Sequence, residues 1–327
     1  MGRMPAGAEN APEERFLVTG AHGCIGAWVI RRLLSEGTHV VALDVSDDDH
    51  RLRMLLSGEE VEALARVRTD ISDLEALART LDEHEITNVV HLAALQVPFC
   101  RADPSLGARV NVVGTVNVLE AVARREAATA PIVYASSIAA YDVDATLEGG
   151  GHPATLYGVY KRANEGTAAV YWSDRGVASV GLRPHTVYGP GRDQGLTSSP
   201  TAAMLAAAAG RPFEIPFGGS FQFQYASDVA AAFILASRSR AQSATVHGLS
   251  GGAVSMAHVV SAIEAAAPEA AGTITFVDEQ LPFPAEADHD ALREVIGTVP
   301  ETSLAEGVRD TVARFRELLA AGVVTLS

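Results

Sequence analysis

The chain has 327 residues, 48% of them hydrophobic, enough to bury a large core in one big α/β domain or two smaller ones and to exclude overall disorder. Its formal net charge is −15, from 25 Lys and Arg against 40 Asp and Glu, and no local basic patch offsets a field that repels phosphate backbones, so nucleic acid is not an expected partner. Two cysteines, Cys24 and Cys100, provide neither a disulfide framework nor a metal-ligand cluster, which suits a reducing compartment.

Residues 1–14 are polar and read as a flexible tail with no signal peptide and no membrane anchor, so a cytoplasmic location is expected. From residue 15, short β-branched runs at 16–19, 40–43, 89–92 and 132–135 alternate with helical patterns at 26–34 and near 108–123, the signature of βαβ units and a parallel sheet. A further helix is predicted from 157 towards 172 and a strand at 178–182. Beyond it Pro and Gly become frequent, from Pro184 to Pro216, which marks a change of architecture. The Ala-rich run 201–209 covers about a third to a half of the roughly 20 residues that cross a bilayer and is an ordinary helix. The run 246–249 is expected to return to the main sheet. These boundaries give residues 15–182 as a nucleotide-binding domain, rejoined by about 225–250, and 183–224 with 251–327 as a smaller substrate-binding region.

The first predicted strand leads into "TGAHGCIG", where Gly20, Gly23 and Gly26 allow a tight turn and close backbone approach before a helix whose free N–H groups face an anion. Gly20, Gly23, Cys24, Ile25 and Gly26 are therefore candidates to hold a pyrophosphate. Asp44 ends the second strand about 20 residues past the last glycine, where a carboxylate suits a ribose 2′-hydroxyl. With Asp47, Asp48 and Asp49 beside it, the expected cofactor is NAD rather than NADP, although Arg51 and Arg53 stand close by. This pattern is that of a Rossmann doubly wound sheet. The alternative makes the glycines plain turn residues, and Cys24 reads as a small packing residue.

In "TLYGVYK", Tyr157 and Lys161 share one helical face, and an ammonium beside a phenol lowers its pKa towards the value a general base needs. Tyr160 lies off that face and reads as packing. Ser136 and Ser137 end the strand of "IVYASSIAAY", where a hydroxyl can hold a substrate oxygen. Taken alone, each feature also occurs by chance.

Together, "TGAHGCIG", "DISD", "HLAA", "NVVGTVNVLEA", "YASSIAAY", "YGVYK", "LRPHTVYGPG" and "ASDVAAAFI" resemble the extended short-chain dehydrogenase/reductase family, the group of NAD-dependent sugar epimerases and dehydratases similar to UDP-glucose 4-epimerase. The resemblance implies Ser137, Tyr157 and Lys161 as the catalytic set. It implies Asp70 and Ile71 flanking the adenine, Leu92, Ala93 and Ala94 along the cofactor, Asn111 supporting it, and Pro184 and His185 near the nicotinamide. Gln96, Ser137, Ile138, Thr186 and Arg192 become the expected substrate contacts, and the helices near 108–123 and 157–172 an expected homodimer face. His91 and His185 read as structural or cofactor-adjacent, with no metal.

Two departures bear on the substrate. Ile138 and Ala139 stand where the family's 4,6-dehydratases carry an Asp-Glu pair, and neither moves a proton, so dehydration is disfavoured. Thr186 and Phe221 stand where many nucleotide-sugar enzymes have an asparagine and an arginine for the diphosphate, although Arg192 or Arg211 could supply the charge instead. The segment "GRDQGLTSSPT" offers Arg192, Asp193, Gln194, Thr197 and Ser198 to hydroxyls or a carboxylate, or is an exposed loop. The expected function is NAD-dependent removal of hydride from a secondary alcohol of a sugar, sugar acid or polyol. A UDP-sugar 4-epimerase with retained NAD and a non-catalytic NAD-sensing scaffold remain as alternatives.

Overall fold

A computed structural model describes residues 13–125, 129–142, 151–249, 252–280 and 290–325. Most of the expected N-terminal tail lies outside the described residues, but Glu14 is held: its carboxylate accepts from Arg238 Nε at 3.0 Å and Nη2 at 2.7 Å.

Among the described residues twelve strands form: β1 (Arg15–Thr19), β2 (His39–Asp44), β3 (Ala65–Arg68), β4 (Asn88–His91), β5 (Ile132–Ala135), β6 (Ser179–Arg183), β7 (Thr186–Tyr188), β8 (Phe213–Ile215), β9 (Ser220–Tyr225), β10 (Ala244–Gly248), β11 (Ala253–Ser255) and β12 (Ile274–Phe276). Seven of them make one sheet in the order β10-β6-β5-β4-β1-β2-β3. All six pairings in it are parallel. Its central strands are near-continuous apolar runs, such as Phe16, Leu17 and Val18, because helices cover both faces. One face buries the helices Cys24–Ser35 and Ala226–Ser237. The other buries Leu74–Glu83 and Gly114–Ala123. The chain runs outward in opposite directions from β1 and β4, so the crevice past their carboxyl ends is the switch point at which such sheets take ligands.

The smaller elements after β6 include the sheet β11-β9-β7 and the pair β12-β8. Strand β9 is buried along both faces from Phe221 to Gln224, so its alternating aromatic and amide residues form neither an exposed face nor an open sugar wall. Phe221 packs edge-on against Phe217 in the core.

Two helices position the site. The run 104–123 comprises Pro104–Ala108, a π-helical turn Arg109–Val113 and Gly114–Ala123. It is long and apolar enough, by length and composition alone, to cross a bilayer, but half of it is buried against protein, as in the core helix of a globular fold. The helix Leu156–Arg175 starts on a Thr155 cap, whose hydroxyl accepts from Gly158 N at 3.1 Å, and stops at Gly176 in the left-handed region at φ 69°. It docks against the short helical turn Ile138–Ala140 only because residue 158 has no side chain: a Cβ there would collide with the Ala139 carbonyl oxygen and crowd Pro153.

Gly158→Ala is therefore expected to destabilise the protein by about 1–3 kcal/mol through overpacking. Gly166→Ala on the same helix meets open space and is expected to be neutral or stabilising. Urea denaturation of both variants checks the contrast.

Candidate active site

The glycine turn has the shape that a dinucleotide needs. Gly20 has φ +67°, and a Cβ on it would stand 2.6 Å from Ala93 N, so the turn after β1 and the segment after β4 touch backbone to backbone. A Cβ on Gly26 would collide with the Gly20 carbonyl oxygen. No side chain caps the helix start at Gly23, which leaves the N–H groups around Cys24 and Ile25 to a diphosphate. Asp44 is fixed with one oxygen on His22 N and the other on Ser46 N, both at 3.0 Å, at the ribose end of the crevice. The nearby arginines have carboxylate partners: Arg53 and Arg66 meet Asp49, Arg68 meets Asp47, and Arg51 meets Asp193. A 2′-phosphate would find each of them engaged, which fits NAD. Burial pushes the Cys24 thiol up to about 11, so it stays protonated and fills space, as its position suggested.

Asn111 secures the segment after β4. Its Oδ1 accepts from Leu95 N at 2.8 Å and its Nδ2 donates to Leu95 O at 3.0 Å. The π-helical turn frees its carbonyl to accept from Asn164 Nδ2 at 2.9 Å, which joins this segment to the helix of Lys161. Leu92 and Ala93 are held by their N–H groups on Thr19 Oγ1, at 3.2 and 3.3 Å, while Ala94 continues the same partly exposed segment. Asp70 is exposed, and its Oδ1 accepts from Ser72 N at 2.8 Å. Ile71 differs from expectation: it is buried, packs on Gly114, and its carbonyl accepts from Asn117 Nδ2 at 3.0 Å. The absence of a side chain at 114 lets it pack into the core next to Asp70.

Ser137, Tyr157 and Lys161 come together. Ser137 Oγ accepts from Ala139 N at 3.1 Å and lies near enough to the Tyr157 hydroxyl to favour its charged form. Lys161 Nζ lies 5.5 Å from the Tyr157 ring centroid and donates to Ala135 O at 2.6 Å. Burial lowers the Lys161 pKa to about 8. Burial raises that of Tyr157, opposed by the Ser137 hydroxyl and then by the charge of Arg192. Two cations thus bear on this phenol, Lys161 over its ring and Arg192 from the substrate side. Tyr160 packs outside the site, with its hydroxyl on Pro104 O at 3.0 Å.

On the substrate side, the side chains of Gln96 and Arg192 both border Gly195. Arg192 Nη2 donates to Thr197 Oγ1 at 2.8 Å, while its buried Nε has no hydrogen-bond partner. The loop that carries it is clasped to the glycine turn. Asp193 accepts from Arg51 Nη2 at 2.7 Å, His50 Nε2 lies 2.8 Å from the same carboxylate, and Arg51 Nη1 donates to His22 O at 2.9 Å. Ile138 and Thr186, expected at the substrate, face inward. Ile138 N donates to Pro184 O at 3.2 Å, and the Thr186 hydroxyl sits 3.2 Å from His185 Nδ1. Both residues tie the Ser137 turn and β7 to the buried Pro184–His185 segment. Burial pushes His91 down to about 3, so it is neutral between Thr19 and Thr115 and structural. Among the described residues no cluster could hold a metal ion.

Several residues that matter here lay outside the sequence reading. Gln224 accepts from His185 N at 2.8 Å and also donates to Leu249 O, fixing the Pro184–His185 segment. Glu165 and Arg183 form an ion pair of 2.6 Å behind Lys161. One signal was available without coordinates: Lys161 is the only lysine in the chain, every other basic side chain being arginine or histidine. Arginine serves surface charge equally well, but only an ammonium can be buried with a depressed pKa and still exchange its proton near neutrality.

A parallel doubly wound sheet, a glycine turn with its ribose carboxylate, and a joined Ser, Tyr and Lys define an NAD-dependent oxidoreductase of the extended short-chain class. The chain belongs to the NAD dependent epimerase/dehydratase family, whose model matches residues 16–247. It is 32% identical over 329 residues to UDP-glucose 4-epimerase of Mycolicibacterium smegmatis, covering 92% of this chain and 98% of the relative. It is 33% identical over 225 residues to UDP-glucuronate 4-epimerase 5 of Arabidopsis thaliana, covering 65% of this chain and 51% of the relative. Among solved structures, MoeE5 in complex with UDP-glucuronic acid and NAD superposes with a TM-score of 0.72 at 29% identity, covering 93% of this chain and 99% of that one.

The buried lysine makes stability depend on pH in a stated direction. Between about 8, its folded value, and its ordinary 10.5, the unfolded chain keeps a proton that the folded chain has released. Stability therefore rises with pH through that window and the contribution is lost as pH falls to 8. Relative to Lys161→Met, the unmodified protein is expected to gain about 3 kcal/mol between the two ends, read by urea denaturation at a series of pH values.

Proposed function

We propose that this protein is an NAD-dependent epimerase acting on a carbinol carbon of an anionic sugar, a sugar acid above all. The observation that carries this reading is Arg192, whose buried Nε has no hydrogen-bond partner and whose charge reaches Tyr157. A guanidinium held by Thr197 through Nη2, with its buried Nε unmet and its charge felt at Tyr157, is suited to a carboxylate or phosphate on the substrate. Ser137 holds the substrate hydroxyl, and Tyr157, as its phenolate, takes the proton while the C–H bond gives up hydride. Bound NAD supplies the hydride acceptor. Lys161 is placed to hold the cofactor's ribose and to steady the charge on Tyr157. Return of hydride to the opposite face of the oxidised sugar, with the proton restored by Tyr157, completes epimerisation with no net redox change.

Relatives named as 4-epimerases of UDP-glucose and UDP-glucuronate favour a nucleotide sugar. Against a diphosphate bound in the family's usual way, Thr186 and Phe221 are both buried, and Arg211 is exposed beyond the far end of the helix Ser199–Ala208. The reading therefore rests on the anionic sugar rather than on the nucleotide. The protein is also proposed to pair as a homodimer. The helix Leu156–Arg175 exposes Leu156, Val159 and Val170, and the run 104–123 exposes Leu106 and Val113, an apolar face that a second copy would cover. Val170→Glu is expected to turn a dimer into a monomer in analytical ultracentrifugation.

The deciding experiment incubates the protein with NAD and UDP-glucuronate, UDP-glucose, free glucuronate or free glucose, following NADH by absorbance and the sugar by NMR. The expected result is an epimerised acid with no net NADH. Net NADH from a free sugar acid would make it a dehydrogenase instead. Tyr157→Phe is expected to lower the rate about 10²–10⁴-fold. Arg192→Gln is expected to weaken KM for the acid about 10–100-fold. It should also shift the acid limb of the rate profile to higher pH, because the charge that favours the phenolate is gone. A neutral sugar turned over as fast as the acid, with no response to Arg192→Gln, would overturn the reading.

A further inference from the structure

We propose that Glu165 is a positioning residue for Lys161: with Arg183 and Ser136 it locks together the three segments that deliver Ser137, Lys161 and Pro184, and its carboxylate is the standing counter-charge of the buried ammonium. The proposal deepens the proposed function, since it rests on Lys161 serving the reaction.

The geometry is a hub. Glu165 lies one helical turn past Lys161, so the two side chains rise from the same face. Its carboxylate takes both arms of Arg183, Nε at 2.8 Å and Nη2 at 2.6 Å, and the Ser136 hydroxyl at 2.5 Å. Ser136 is the neighbour of Ser137 at the end of β5. Arg183 is the last residue of β6 and the neighbour of Pro184. Lys161 Nζ itself donates to Ala135 O, one residue before Ser136. Arg183 is held from the other side by the Tyr141 ring, 4.3 Å from its guanidinium carbon. Every member is largely or fully buried, the side chains of Glu165 and Arg183 being 9% and 17% exposed, so the charges act in a medium that screens them weakly.

The charges around Lys161 single out Glu165. Facing the ammonium are Tyr157 on its own helix, Cys100 on the helix Val97–Ala102 and His91 on β4, with Arg183 behind Glu165. His91 is neutral, and burial raises both the Tyr157 phenol and the Cys100 thiol, which keeps them protonated near neutral pH. Cys100 and Glu165 are the two groups that favour the charged lysine, and burial holds the Cys100 thiol protonated, which leaves the Glu165 carboxyl. A buried ion pair is by itself weak evidence of stabilisation. A triply bonded carboxylate one helical turn from the one ammonium of the chain acts on it through a medium that screens weakly.

Because the chain has a single lysine, its titration can be read without assignment or substrate. Full-length protein labelled with ¹³C and ¹⁵N in lysine gives one side-chain signal, followed against pH for the unmodified protein, Glu165→Gln, Arg183→Gln and the double variant, with circular dichroism as the fold control. Glu165→Gln is expected to lower the midpoint by about one pH unit, since it removes the counter-charge and leaves Arg183 unopposed. Arg183→Gln is expected to raise it. The double variant, whose neutral pair avoids a lone buried charge, is expected to fold and to titrate between Glu165→Gln and the unmodified protein. It decides the matter if a single variant does not fold. A double variant with an unchanged midpoint, or two folded single variants that shift in the same direction, would overturn the proposal. A failed epimerase assay would leave this titration unaffected, so the two readings fail separately.

Discussion

A cation taken out of water must be met by dipoles and counter-charge, and the interior of this protein is arranged around one such cation, the ammonium of Lys161. The carbonyl of Ala135 receives it at the end of a buried strand, and the helix that carries it lies close enough for that bond only because Gly158 has no side chain. The same docking brings Tyr157 to the Ser137 hydroxyl. Chemistry and packing therefore share one constraint, the distance between the helix Leu156–Arg175 and the carboxyl ends of β5 and β6.

The crevice is built by a second close approach, that of Gly20 to Ala93, which joins the turns after β1 and β4 at the point where the strand order reverses. The clasp of Arg51 and His50 on Asp193 then ties the substrate loop to this cofactor cradle. Arg192 precedes the clasped Asp193, and its charge is felt at Tyr157 although the two residues come from different parts of the chain. The loop of Arg192 and the glycine turn thus depend on a shared set of contacts.

Local patterns were the legible part. The glycine turn, Asp44, and the Tyr and Lys of one helical face follow from spacing alone, because the turn, the strand end and the helix each fix their own geometry within a few residues. The alternation of strands and helices gave the parallel sheet for the same reason, and the return of the chain to its edge appeared as one short run near Val246. What spacing could not reveal is pairing across the fold. The union of Glu165 with Arg183 and Ser136, the clasp on Asp193, and the inward turn of Ile71, Ile138 and Thr186 depend on which faces meet. Strand β9 shows the same limit: its alternation has the period of a strand with one wet face, but Gln222 and Gln224 are buried along with Phe221 and Phe223. Gln224 is satisfied there by the backbone of His185 and Leu249.

Strand β10 pairs with β6 at the edge of the large sheet, and the helix just before it, Ala226–Ser237, covers the face beside Cys24–Ser35. A ribosome that has made the chain through Arg183 has finished six of the seven strands, yet the apolar face that this later helix covers is still open to water. The cradle read so clearly near the amino terminus is thus completed only after about three quarters of the chain has emerged, late in synthesis for its most local motif, and until then the nascent protein depends on other means to keep that surface from sticking to its neighbours.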